Sequence, residues 1–156
     1  MKKIKTHPKK EKRVRVLAQG TFDILHPGHV HYLSFAKEKG SHLIAIIARD
    51  VNVKRFKGAS PVNDESARRR MVAALKPVDE AVLGGKGDIL SKVIQIRPDV
   101  IVLGYDQRTD EKGLIDALAV KGIHCQVIRA PPYGKKRYKS NLIKRRIVQS
   151  FQKTST

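Results

Sequence analysis

The chain has 156 residues, a formal charge of +19 and a single cysteine, Cys125. That length suits one ordinary domain, one cysteine excludes an internal disulfide and a cysteine-built zinc cluster, and no apolar run approaches the ~18 residues that a membrane span needs. A basic beginning with no signal-peptide apolar core behind it completes the expectation of a cytoplasmic protein with no membrane partner.

The charge is unevenly placed. Residues 1–15 hold eight Lys/Arg against Glu11, and residues 117–156 hold ten against no carboxylate, which leaves only +2 for residues 16–116. Such ends attract polyanions, whether nucleotides, phosphorylated metabolites or nucleic acid. Residues 1–12 read as a basic, flexible tail and residues 13–152 as the folded domain.

In chain order, Val14 to Ala18 alternates and then runs apolar to Gly20, which predicts a strand reaching a turn. Residues 30–39 predict a helix stopped by Gly40. Leu43 to Ala48 is an unbroken apolar run, as in a strand buried on both faces of a parallel sheet. Helices are then predicted at 64–75, 88–96, 111–121 and 141–152, and strands at 81–83, 100–103 and 125–128. Leu142, Ile143, Ile147, Val148 and Phe151 mark one face of the last helix. Strands alternating with helices of this length predict an α/β fold, a single doubly wound domain around a mainly parallel five-stranded sheet. Ligands of such folds bind beyond the carboxyl ends of the strands, which directs attention to 20–29, 49–58, 84–88, 104–108 and 129–140.

The first of these segments reads Gly20-Thr21-Phe22-Asp23-Ile24-Leu25-His26-Pro27-Gly28-His29. It sets two imidazoles three residues apart around a Pro-Gly turn at a helix N-terminus, where free N–H groups and the helix dipole favour an anion. Gly20 and Gly28 allow close backbone approach to a ligand. Rigidly held imidazole N–H donors suit a phosphate undergoing displacement, because charge builds on its oxygens.

This segment resembles the signature of the cytidylyltransferase-like nucleotidyltransferases, and the resemblance extends over nearly all of residues 14–150. It implies a small doubly wound α/β domain in which His26 and His29 are catalytic and stabilise the transition state. It makes Thr21, Phe22, Pro27 and Gly28 nucleotide-binding as well. It assigns Lys54 and Lys57, in a basic loop from Lys54 to Gly58, to the phosphates, and Arg68 to a substrate phosphate. Asp106, in Leu103-Gly104-Tyr105-Asp106, corresponds to an acid that helps bind the nucleoside. The family closes with a Ser/Thr-rich motif that holds the triphosphate. Here only Ser140 keeps a hydroxyl, with Asn141 beside it and Lys135, Lys136, Arg137 and Lys139 to supply charge.

Within the family, the Ile-Ile-Ala-Arg-Asp, Ala-Leu-Lys-Pro-Val-Asp-Glu-Ala-Val-Leu-Gly and Ile-Val-Leu-Gly-Tyr-Asp-Gln segments are most similar to those of the archaeal FAD synthases. That implies transfer of AMP from ATP to FMN with release of pyrophosphate. It further implies a divalent metal, Mg²⁺, arriving with ATP rather than held by a protein cage, and a homodimer. Tyr133 and Tyr138 offer the aromatic surface an isoalloxazine ring needs. Two sister activities stay open at this level, a heptose-type sugar-phosphate adenylyltransferase and a glycerol-3-phosphate cytidylyltransferase. A third reading, prompted by the basic ends, is a nucleic-acid-binding module that kept the fold and lost catalysis.

Overall fold

In a computed structural model, residues 13–134 and 136–153 are described; the expected tail at 1–12 and the expected charge of Lys135 lie outside them. The apolar runs become strands β1 (Arg15–Gly20), β2 (His42–Ile47), β3 (Glu80–Leu83), β4 (Val100–Leu103) and β5 (Gln126–Arg129). All neighbouring pairs are parallel, in the order β3-β2-β1-β4-β5. The chain first winds outward from β1 to β3 and then restarts on the other side of β1 with β4, so the order reverses between β1 and β4. That is the doubly wound, five-stranded sheet the alternation predicts.

The helices are α1 (Pro27–Lys37), α2 (Asp50–Lys57), α3 (Glu65–Ala73), α4 (Ser91–Ile96), α5 (Glu111–Val120) and α6 (Ser140–Lys153). The period of two along β1 sends Val16 and Ala18 to one face of the sheet, with Leu33 and Ala36 of α1 and Val72 of α3. Leu17 goes to the other face, with Val93 of α4 and Leu118 of α5. Two apolar layers thus cover the sheet, and its central strands are buried on both sides.

One element departs from the sequence expectation. The basic loop expected from Lys54 to Gly58 is the second half of helix α2. Asp50 stands in the first turn, Lys54, Arg55 and Lys57 in the last, and Gly58 takes the left-handed conformation (φ 73°) that ends the helix. The charges complement the helix dipole at both ends. Two valines, an asparagine and a phenylalanine within eight residues hide the helix from a propensity reading. Helix α1 also begins earlier than expected, at Pro27. Proline there loses no helical hydrogen bond, so the Pro-Gly turn is itself the first turn of the helix.

Candidate active site

The cleft between β1 and β4 is finished by side chains. Their backbone pairing ends at Ala18 and Val102. In the gap, the Tyr32 hydroxyl accepts from the Gln19 amide (3.1 Å) and donates to the Val102 carbonyl (2.7 Å). Gln107 adds a side-chain N–H to the Gln19 carbonyl at 2.8 Å. Burial holds the Tyr32 phenol well above its ordinary pKa, so it remains a donor. Beyond this bridge opens a cavity of about 520 Å³, walled by the ends of β1, β4 and β5 and the starts of α1 and α6.

Phe22 turns the chain at its floor. It is 2% exposed and has φ 52°, an uncommon left-handed conformation for a bulky residue. The ring packs beside Tyr32 (centroids 6.3 Å) and edge-on to His29 (5.2 Å), and that packing holds the backbone in place.

The two histidines meet at the head of α1. Their rings stack with centroids 3.8 Å apart and planes 16° from parallel. His26 is the N-cap residue, and its Nδ1 accepts the His29 amide at 3.3 Å. In the neutral ring the proton is therefore on Nε2. Burial first, then the adjacent His26 and Lys57, push the His29 pKa down to about 3. Burial also lowers that of His26. His29 Nδ1 is buried and has no partner among the described residues. The turn thus presents two neutral imidazoles in a site whose dipoles already favour an anion. A Cβ on Gly28 would stand 3.2 Å from the Tyr138 carbonyl, so a glycine lets the closing segment sit tightly on this helix head.

Three lysines from three segments reach the same cavity, each engaged with an oxygen. Lys57, at the end of α2, donates to Thr21 Oγ1 at 2.8 Å, and burial lowers its pKa. Lys139 lies 3.2 Å from Asp106 Oδ2. Lys144, one turn into α6, lies 2.6 Å from Asp23 Oδ2. Asp23 is 4% exposed and also accepts from the Val62 (2.8 Å) and Asn63 (3.0 Å) amides, so it ties the α2–α3 loop and α6 to the β1–α1 turn. Burial works to raise its pKa, but the Lys144 hydrogen bond and the two amides outweigh it and hold the carboxyl ionised. On the far wall, His31, Tyr133 and Tyr138 form an aromatic stack, with centroids 4.7 and 5.8 Å apart.

Of the residues expected in the site, Thr21, Phe22, His26, Gly28, His29, Lys57, Asp106, Tyr133 and Ser140 line this one cavity. Pro27, Lys54 and Arg68 are not in its wall. Pro27 is exposed and shapes the helix start, while Lys54 lies on the exposed face of α2. Arg68 corrects an expectation: it is fully buried, and does not face the space where a substrate phosphate would sit. Its guanidinium donates to the carbonyls of Thr21, Asn63 (3.0 Å) and Ala48 (2.7 Å) and to Asp50 Oδ1 (2.6 Å). It staples the ends of β1 and β2 from beneath. Ser140 begins α6, its hydroxyl turned to the Ile24 carbonyl at 3.5 Å. Asp23, Lys144 and Gln107 belong to the site as well but do not follow from the sequence expectations. Lys144 carried a signal, since one helical turn from Ser140 places it on the same face. Among the described residues, no three His, Cys, Asp or Glu side chains stand close enough to hold a metal ion.

A doubly wound sheet, a cavity at its reversal point and paired neutral imidazoles on a helix head define a nucleotidyltransferase. The chain belongs to the family described as Cytidylyltransferase-like, whose sequence profile matches residues 17–146. It is 58% identical to the FAD synthase of Haloferax volcanii over 118 residues, 76% of this chain and 82% of that protein. It is 40% identical to the FAD synthase of Thermoplasma acidophilum over 136 residues, 87% of this chain and 95% of that one. A solved structure from Thermoplasma volcanium, described as a lipopolysaccharide core biosynthesis protein, superposes with a TM-score of 0.75 at 43% identity. It covers 78% of this chain and 99% of its own.

Proposed function

We propose that this chain is an FAD synthase, which transfers AMP from ATP to FMN and releases pyrophosphate. The observation that carries the chemistry is the pair of stacked, neutral imidazoles at the head of α1. A phosphate oxygen of FMN attacks the α-phosphorus of ATP in line, the new P–O bond forms, and the bond to pyrophosphate breaks. Charge moves onto the departing oxygens, where His26 and His29 donate N–H groups that need not be reprotonated or reoriented. Lys57, Lys139 and Lys144 exchange their present oxygen partners for phosphate oxygens. Asp106 takes a polar group of the nucleoside, and Thr21 and Gly28 offer backbone to the phosphates.

The donor set fits a metal that travels with ATP. Asp23, the buried carboxylate of the cavity, is already taken by Lys144 and two amides. A Mg²⁺ arriving with ATP would supply Lewis-acid neutralisation of the phosphates. The His31–Tyr133–Tyr138 stack offers a planar surface to a ring of the substrates. The curated relatives favour flavin over sugar phosphate or glycerol phosphate as acceptor. We place the reaction in the cytoplasm, with its soluble substrates ATP and FMN; no described helix is long and apolar enough to cross a membrane. A homodimer is part of the same reading.

The test is a panel of ATP and CTP, each with FMN, a heptose phosphate and glycerol 3-phosphate, followed by pyrophosphate release. FAD formed from ATP and FMN is the expected outcome. Turnover confined to CTP with glycerol 3-phosphate, or to a sugar phosphate, overturns the acceptor. Tight, salt-steep nucleic-acid binding with no pyrophosphate from any pair overturns the enzyme.

A further inference from the structure

A second cleft, of about 580 Å³, lies at the edge of the sheet. It sits outside the carboxyl end of edge strand β3, where Leu83, Gly84 and Gly85 form one wall. Arg49, which follows β2, enters it with Arg69 of α3, Lys86, and Lys92 of α4. Four cationic side chains line it, and no carboxylate does.

Arg49 is the informative member. Its side chain is 21% exposed, and Nη1 is held by Glu65 at 2.6 Å. Its Nε–H is buried and has no partner among the described residues. A buried guanidinium donor without an acceptor loses its hydration and gains nothing in return. The wall around it is built rather than loose. Buried Asn52 donates to the Gly85 carbonyl at 2.7 Å, which fastens the end of β3 to α2. The turn after Gly85 folds back so closely that a Cβ there would lie 2.5 Å from the Asp88 carbonyl and 2.3 Å from Ser91 Oγ.

We propose that this cleft binds the phosphoryl group of a small molecule, at a site separate from the nucleotide cavity. An oxyanion sits among Arg49, Arg69, Lys86 and Lys92, whose N–H groups and charge hold it. Four cations with no carboxylate in the lining favour a compact dianion. The inference does not depend on which acceptor the enzyme uses, because binding is read without turnover.

The test uses two-dimensional amide spectra of the ¹⁵N-labelled full chain, titrated with inorganic phosphate at a constant ionic strength of about 0.15 M to suppress diffuse charge effects. The expected result is a saturable shift at the Gly84, Gly85 and Lys86 amides. The Arg69→Ala/Lys92→Ala variant should weaken that response at least tenfold, while the Gly28 and Gly104 amides respond as in the unaltered chain. A parallel titration with glycerol 2-phosphate separates the sources. Tighter binding of the ester assigns the site to a phosphorylated metabolite, and equal or weaker binding to free phosphate. Linear, unsaturated shifts at Gly84 and Gly85, or a saturable response that the double variant leaves unchanged, overturns the proposal.

Discussion

The turn after β1 and the segment that closes over it, from Pro131 to Lys144, face each other across one cavity but are built by different physics. The turn is held from below by buried groups: Phe22 at 2% exposure, Tyr32 bridging two strands, and Arg68 at 0% bonded to three carbonyls. The closing segment is held through its own exposed or half-exposed lysines, Lys139 against the exposed Asp106 and Lys144 against the buried Asp23. Donors fixed in a poorly hydrated wall act without reorganising, whereas lysines on long stems can change partners. Under the proposed function, catalytic precision falls to the first region and substrate capture to the second.

The largest effects should come from the turn. His29→Ala removes a fixed donor to developing charge, and kcat should fall about 100- to 1,000-fold with little change in KM. Steady-state kinetics with ATP and FMN measures both, and near-normal turnover would overturn the role given to His29. Arg68→Met should leave the wall of the cavity chemically intact but strip three carbonyls and Asp50 of their partner. The loss of stability should be about 3 kcal/mol, as for breaking a buried pair, read from urea unfolding. If Arg68 instead met substrate phosphate, KM would rise while the unfolding midpoint stayed in place.

A change in the closing segment should look different. Lys144→Met should raise the KM for ATP about tenfold, the range of one charge-assisted contact, with a smaller effect on kcat. Lys144→Arg should recover most of it. A loss confined to kcat would erase the contrast between the two regions.

The pH dependence of stability sharpens the same contrast. His29 has a pKa of about 3 in the folded chain against an ordinary 6.5. Between those values the unfolded chain binds the extra proton, so stability rises with pH through this window. The penalty is absent above about 6.5 and grows as pH falls toward 3. Urea midpoints at pH 7.5 and pH 5 should differ in the unaltered protein, and the difference should shrink in His29→Gln. An unchanged difference would mean that His29 is solvated and charged like an ordinary imidazole.

How much of this was legible in the sequence depended on whether the signal was local. Each strand contains a short contiguous apolar stretch, and the Gly20–His29 segment is contiguous too, so the fold and the head of the site could be read directly. Helix α2 could not, because its dipole-matched charges look like a basic loop when eight residues include two valines and no long apolar face. Arg68 sits in a run of three arginines, and only its phase separates it from Arg69 and Arg70. It stands four residues before Val72, the other buried residue of α3, which places it on the inner face. The Asp23–Lys144 pair joins residues 121 positions apart, and no local pattern announces such a contact.

The smallest expected effect concerns the aromatic wall, and it bears on substrate choice. Tyr133 is 45% exposed and stacks on both His31 and Tyr138. A half-exposed ring gains by covering another planar surface, worth about 0.5–1.5 kcal/mol beyond the area buried, so Tyr133→Ala should raise one KM by roughly two- to tenfold. Which substrate pays decides where the flavin lies. A rise for FMN alone places the isoalloxazine ring on this wall. A rise for ATP alone places the adenine there and turns the flavin toward Val53 and the Ala59–Pro61 segment, which line the cavity on the α2 side. If neither KM moved, the stack would serve only to seat the Pro131–Lys139 loop, and a loss of thermal stability without a kinetic change would show it.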